Sequence, residues 1–198
     1  MSELLEKIKG SLEERILLLF ERQQELCRRM HNLKISGTIE FSISDILEEE
    51  PSDNRTGVKQ LVDKLRVIKK DAVVYFFQIV NEKDISNVLD VFEGKRPIIE
   101  KAIARKRIYE KEKKSSDILY VGSKIKDIHL RFKQHMGWGP KNTYALQLKE
   151  WAKNYKEWKF LFYYIIIENI GDDKYILRDI EAAISNRLEP ILGKDEKF

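Results

Sequence analysis

The chain has 198 residues, of which 42% are hydrophobic and 35% charged, with a formal net charge of +4. That length can bury a real apolar core, and the balance of residue types excludes a disordered, low-complexity or disulfide-stapled protein. The longest unbroken apolar run, Phe160 to Ile167, is far short of the roughly 20 residues of a membrane span, and the charged start Met1-Ser2-Glu3-Leu4-Leu5-Glu6-Lys7 lacks the apolar core of a secretory signal; a cytoplasmic protein with no membrane partner is expected.

Residues 2–33 read as a helix, with Leu4, Leu5, Ile8, Leu12, Ile16, Leu17, Leu19, Phe20 and Leu26 recurring at intervals of three and four. Its one apolar face calls for something to pack on, and a homodimer through this helix is one way to supply it. Cys27, the only cysteine, is expected as a packed thiol rather than a reactive one. The alternation Ile39-Glu40-Phe41-Ser42-Ile43 suits an edge strand, Pro51-Ser52-Asp53-Asn54 a turn, and Val58 to Ile68 a further helix. Residues 1–70 are therefore read as a mainly helical accessory segment.

From Asp71 the chemistry becomes strand-like. Ala72 to Val80 is a β-branched and aromatic run suited to a buried strand. Residues 84–114 then read as a charged helical insertion interrupted at Gly94 and Pro97. Within it, residues 95–114 carry nine Lys/Arg against three Glu, so Lys101, Arg105 and Arg107 are candidate contacts for nucleic-acid phosphates, the alternative being a solvated helix face. Ile118 to Gly122 forms a second strand. Asp127 can cap a helix that carries Ile128, Phe132 and Met136 on one face and ends at Gly137-Trp138-Gly139-Pro140. A helix over Thr143–Lys153, a third strand over Trp158–Ile167 and a last helix over Tyr175–Leu188, stopped by Pro190 and Gly193, complete the pattern. The order predicts an α/β (α+β) fold: a small, mainly antiparallel three-stranded sheet flanked by helices, with a helical N-terminal extension and a helical insertion.

On these strands and helices the chain resembles the GIY-YIG nuclease superfamily. The residues that carry the likeness are Tyr120-Val121-Gly122-Ser123-Lys124, Arg131 eleven residues after that tyrosine and His135 four further on. Val73-Val74-Tyr75 stands where the family has Gly-Ile-Tyr, and Glu181 followed nine residues later by Pro190 is similar to its closing motif, with Gly193 where an asparagine is common. The likeness covers about residues 71–194, interrupted by the insertion, and implies a GIY-YIG-like core that hydrolyses phosphodiester bonds in nucleic acid, DNA above RNA, with a single Mg²⁺ or Mn²⁺ ion. By that resemblance the catalytic residues are Tyr75, Tyr120, Lys124, Arg131, His135 and Glu181, with Glu181 the metal ligand and Tyr75 accepting the proton of the attacking water.

Each residue also has a plainer reading. Tyrosines are common on strands for packing alone. Arg131 and His135 are four apart, so one helix face presents both, and a guanidinium matches phosphate oxygens, although a surface arginine needs no explanation. Glu181 borders the apolar stripe Leu177, Ile180, Ile184 and Leu188; it is a candidate metal ligand or, paired with Arg131, a structural ion pair. Trp138, between two glycines, either stacks on bases or caps the core. The alternative function is a catalytically inactive nucleic-acid-binding module, suggested by Val73 and Gly193. An active site further requires that Tyr75, Tyr120, Arg131, His135 and Glu181 converge in space.

Overall fold

The computed structural model describes residues 2–31, 33–47, 57–81, 88, 90–92, 107–108, 116–140, 143, 145–168, 170 and 173–193. The chain divides into two compact units, Met1–Lys34 and Ile35–Phe198. The first contains helix α1 (Ser2–His31). Its residues Leu12, Ile16, Leu17, Leu18 and Phe20 are exposed, as is Cys27. The packed thiol expected at Cys27 is thus not found: within a unit built on a single helix no second layer stands against it.

The second unit is built on a sheet in which β1 (Gly37–Ser42), β5 (Lys159–Ile167), β2 (Ala72–Ile79), β4 (Ile118–Lys124), β6 (Leu192–Gly193) and β3 (Arg107–Ile108) lie in that order. Its three long central strands are those expected. The sheet is wider than three strands, because β1 adds antiparallel to β5 and the two-residue strands β6 and β3 extend the other edge. Pairing is antiparallel except between β4 and β6. β2 lies at the centre and is buried at every position but Gln78, which is why its apolar residues run continuously instead of alternating. Since β1 pairs within this sheet, the boundary between units falls after Lys34 and not at residue 70.

Helices α2 (Ile43–Leu47) and α3 (Gly57–Arg66) precede β2; α4 (Ile128–Met136) and the single turn α5 (Leu148–Trp151) separate β4 from β5; α6 (Lys174–Leu188) follows β5. Residues paired across neighbouring strands share a face. Val73, Tyr75, Phe77 and Ile79 of β2 join one core with Phe132 and Met136 of α4, Trp151, Phe160 and Phe162. Their neighbours Val74 and Phe76 lie on the opposite face, where α6 packs on β4 and β2 through buried Leu177 and Ile180.

Three local expectations change. Asp127 does not cap α4 with its side chain: it adopts a left-handed backbone (φ 61°), and its own N–H donates to Lys69 O at 2.7 Å. The helix expected over residues 143–153 shrinks to Leu148–Trp151, because Gln147 is also left-handed (φ 52°) and its buried neighbours pack as irregular backbone. Helix α6 ends at Glu189 (φ 50°), whose N–H reaches Ser185 O at 2.8 Å, leaving Gly193 in β6. Of the expected helical insertion 84–114, most lies outside the described residues; Arg107–Ile108, which are described, form a strand paired with Leu192–Gly193. Among the described residues no helix is long and apolar enough to cross a membrane.

Candidate active site

Tyr75 at the middle of β2 stands opposite Gly122 of β4, and Phe77 stands opposite Tyr120. Both tyrosines therefore point to the face that α4 covers. Their rings converge over Gly122, where an added Cβ would lie 2.7 Å from the Tyr75 hydroxyl and 2.7 Å from the Tyr120 ring. Only glycine leaves room for that approach. The α4 face completes the cluster: Arg131 Nε donates to the Tyr75 oxygen at 3.2 Å, and His135 Nε2 lies 2.9 Å from the same oxygen. Tyr120 is hydrogen-bonded to both Tyr75 and Arg131.

The direction of these bonds follows from one backbone group. Leu146 N–H donates to His135 Nδ1 at 3.0 Å, so Nδ1 is an acceptor and the proton of the neutral ring sits on Nε2. His135 therefore donates to Tyr75. With its oxygen accepting from His135 and Arg131, Tyr75 has its own proton left to give, and it gives it to Tyr120. The chain of donors ends on the Tyr120 oxygen.

Burial decides the protonation of the two phenols. It pushes Tyr75 far above the ordinary tyrosine pKa of 10.0, against the pull of Arg131. Tyr120 is raised by the same cause, countered by the charge and hydrogen bond of Arg131 and by the hydrogen bond from Tyr75. Burial also works against the charge on Arg131, but the surrounding tyrosine oxygens outweigh it and hold its pKa above the usual arginine value. Tyr75 and His135 are fully buried, whereas Tyr120 and Arg131 are partly exposed. Tyr120 and Arg131 thus keep some side-chain surface open to solvent, which the two groups behind them lack.

Glu181 comes from the other side of the sheet. It sits on α6, and its carboxylate accepts a short hydrogen bond from the Ser123 hydroxyl at the end of β4. Its negative charge acts on both Tyr75 and Tyr120, so it stands close to the cluster although β4 lies between α6 and α4. The structure therefore brings Tyr75, Tyr120, Arg131 and His135 into one hydrogen-bonded group on the α4 face and holds Glu181 on the α6 face through Ser123, so the expected convergence of all five on one side of the sheet is not met. Lys124 is elsewhere: it is exposed at the end of β4 and lines a neighbouring pocket.

Two expectations for nucleic-acid contacts fare differently. Trp138 is only 6% exposed and belongs to the core, which leaves its ring little surface to stack on a base. Lys101 and Arg105 lie outside the described residues, and Arg107 contributes backbone to β3. Sequence reasoning missed Ser123, which reads as an ordinary polar strand end, and Leu146, whose contribution is a backbone N–H and leaves no trace in residue type.

The donor set suits a hard divalent cation held loosely. Among the described residues no group of three or more His, Cys, Asp or Glu side chains stands together. A single carboxylate backed by a hydroxyl does fit Mg²⁺ or Mn²⁺, which keep most of their waters and complete their shell with substrate phosphate. Compared with protein-family models, with curated proteins and with solved structures, the chain matches none.

Proposed function

We propose that residues 35–198 form a divalent-metal-dependent endonuclease of GIY-YIG type that hydrolyses phosphodiester bonds in nucleic acid, DNA above RNA. The observation that carries this reading is the one-way chain of hydrogen bonds that ends on Tyr120, beside an arginine and within the field of a carboxylate. A phosphodiester hydrolase needs an acceptor for the water proton, positive charge for the phosphate oxygens and stabilisation of the leaving oxygen. Tyr120, Arg131 and Glu181 fill these three roles.

Tyr120 in its phenolate form takes the proton of the attacking water, a role the resemblance assigns to Tyr75. Exposure and bond direction favour Tyr120: its side chain is partly exposed where that of Tyr75 is fully buried, and the donors Tyr75 and Arg131 both stabilise negative charge on its oxygen. His135 acts behind Tyr75, fixing which way that phenol donates. The guanidinium of Arg131 binds the scissile phosphate. Glu181, held by Ser123, would hold the metal, which would supply positive charge to stabilise the leaving 3′ oxygen.

The alternative, a module that binds nucleic acid without cutting it, is favoured by one observation: burial raises both phenols and so keeps them protonated at neutral pH. Supercoiled plasmid separates the two. Nicking or linearisation with Mg²⁺ that stops in EDTA supports the nuclease; salt-sensitive binding with intact plasmid in both supports the inactive module. For the first unit we propose a second copy of the chain as partner, met by the exposed apolar residues of α1.

A further inference from the structure

Beside Ser123 the surface opens into a pocket of about 660 Å³ between the end of β4, the following turn and the first half of α6. Its charged lining is Lys124, Lys126, Lys174 and Arg178, against one carboxylate, Asp127. A volume of this order takes a small anion or a stretch of chain. Four cations around it select for negative charge.

The α6 residues set its position relative to Glu181. Lys174, Arg178 and Glu181 are spaced at i, i+4 and i+7, so they stand on one side of the helix. At 1.5 Å per residue, Arg178 lies about 4.5 Å and Lys174 about 10.5 Å along the axis from Glu181. A strand of duplex DNA advances about 3.4 Å along its axis per phosphate, so these cations lie within a few phosphates of one held opposite Glu181. The helix end itself adds little to the attraction, because Asp173 already accepts from the N–H groups of Tyr175 and Ile176 at 2.9 and 3.1 Å. The anion selectivity resides in the side chains.

We infer that this pocket is a backbone subsite: Lys126, Lys174 and Arg178, with Lys124, hold the phosphates that flank the scissile one on the strand being cut. The proposal rests on the nuclease reading for what lies at Glu181, but the subsite itself binds by charge and needs neither metal nor cleavage. It also places a nucleic-acid path on the α6 side of β4.

The test is binding of a fluorescent DNA duplex in EDTA across a salt series, using the full chain with Lys174→Glu and Arg178→Glu combined, and separately Lys126→Glu. A Lys153→Glu/Lys156→Glu protein is the control of equal charge change, since both lysines are exposed and lie outside the pocket. The double variant should lower affinity at least tenfold and flatten the log–log salt slope by about 0.9 for each phosphate no longer neutralised, while the control changes affinity less than threefold and keeps its slope. All the substituted side chains are exposed, and an unchanged thermal midpoint confirms folding. Wild-type slope and affinity in both pocket variants, or an equal loss in the control, overturn the subsite. If the wild-type protein never cuts plasmid yet the pocket variants lose binding selectively, the subsite stands and the nuclease reading falls.

Discussion

Tyr120 and Tyr75 are one bond apart in the same cluster, yet what each oxygen receives gives them different tasks. Tyr120 is where the donors end, so Tyr120→Phe should remove the proton acceptor and lower cleavage by about 10²–10⁴, the range for losing a general base. Tyr75→Phe removes one donor to that acceptor and should cost roughly a tenth to a hundredth as much; single-turnover rates on one labelled duplex make the comparison. Equal losses would mean that the two phenols act as one unit, and a larger loss at Tyr75 would return the base role to it. The raised pKa values also predict opposite pH trends for activity and stability. Both phenols stay protonated in the folded chain above pH 10.0, whereas in the unfolded chain they ionise from about pH 10. The unfolded state then binds fewer protons, so stability falls as pH rises past that value. Cleavage should move the other way, rising about tenfold per pH unit while the phenolate is scarce. Thermal midpoints and cleavage rates from about pH 8 to about pH 11 test both, and the midpoint of Tyr75→Phe should fall less steeply. In the proposed site the Glu181 carboxylate is the metal ligand and Ser123 only positions it. Glu181→Gln should cost about 10²–10³ in rate with metal-free binding kept, and Ser123→Ala about 10–100-fold, partly restored by excess Mg²⁺. Ser123→Ala that loses rate without any recovery at high Mg²⁺ would make the serine structural.

At the level of single elements, what could be read in advance was whatever a local pattern specifies. The run Ala72–Ile79 is apolar because β2 has strands on both sides and helices on both faces, and that leaves an unbroken β-branched stretch in the sequence. Likewise α4 and α6 follow the 3.6-residue period, with Gly137 in the left-handed conformation ending α4 as its type suggests. The cluster of Tyr75, Tyr120, Arg131 and His135 was expected from the family resemblance alone: spacing put only Arg131 and His135 on one helix face, and the two tyrosines meet through the strand pairing around Gly122. Illegible were features fixed by distant backbone. β3 and β6 are two residues long, too short for any alternation to show. Residues 145–147 continue an apolar pattern that imitates a longer helix, but they are buried as irregular chain, and Trp151 Nε1 closes the segment by donating to Leu146 O at 2.8 Å. That same segment presents Leu146 N–H to His135, so a wrong secondary-structure expectation hid a functional contact. Trp138 was left open between stacking on bases and capping the core, and the ring lies inside, as the second reading has it. Trp138→Ala should therefore destabilise by about 3–5 kcal/mol in denaturant titration, while the folded protein at low temperature binds DNA with wild-type affinity and salt slope. Weaker binding by a fully folded Trp138→Ala protein would restore the ring as a nucleic-acid contact.

On the scale of the whole molecule, the division after Lys34 assigns different physical work to the two parts. Every group of the candidate site, the pocket beside it and the apolar core belong to residues 35–198. The segment in front is a 30-residue helix, and a helix with several exposed large apolar residues is stabilised in water mainly by packing against something. The sequence could show that helix and its apolar face, but it set the boundary at residue 70 because β1 is brief and its partner β5 lies more than a hundred residues away in the chain. Removing residues 1–34 therefore tests both assignments at once. Residues 35–198 should fold with a cooperative transition, bind DNA and keep the cleavage rate of the full chain per molecule. The full chain should sediment as a concentration-dependent dimer and the shortened one as a monomer. Replacing Leu12 and Ile16 by Glu in the full chain should reproduce the monomer while leaving cleavage of a short linear duplex intact, since those side chains are exposed on α1 and take no part in the second unit's core. A shortened chain that is still dimeric moves the self-association surface into the second unit. A shortened chain that is folded and monomeric but fails to cut would instead mean that two copies must meet on the DNA, with α1 supplying the encounter that two strand breaks require.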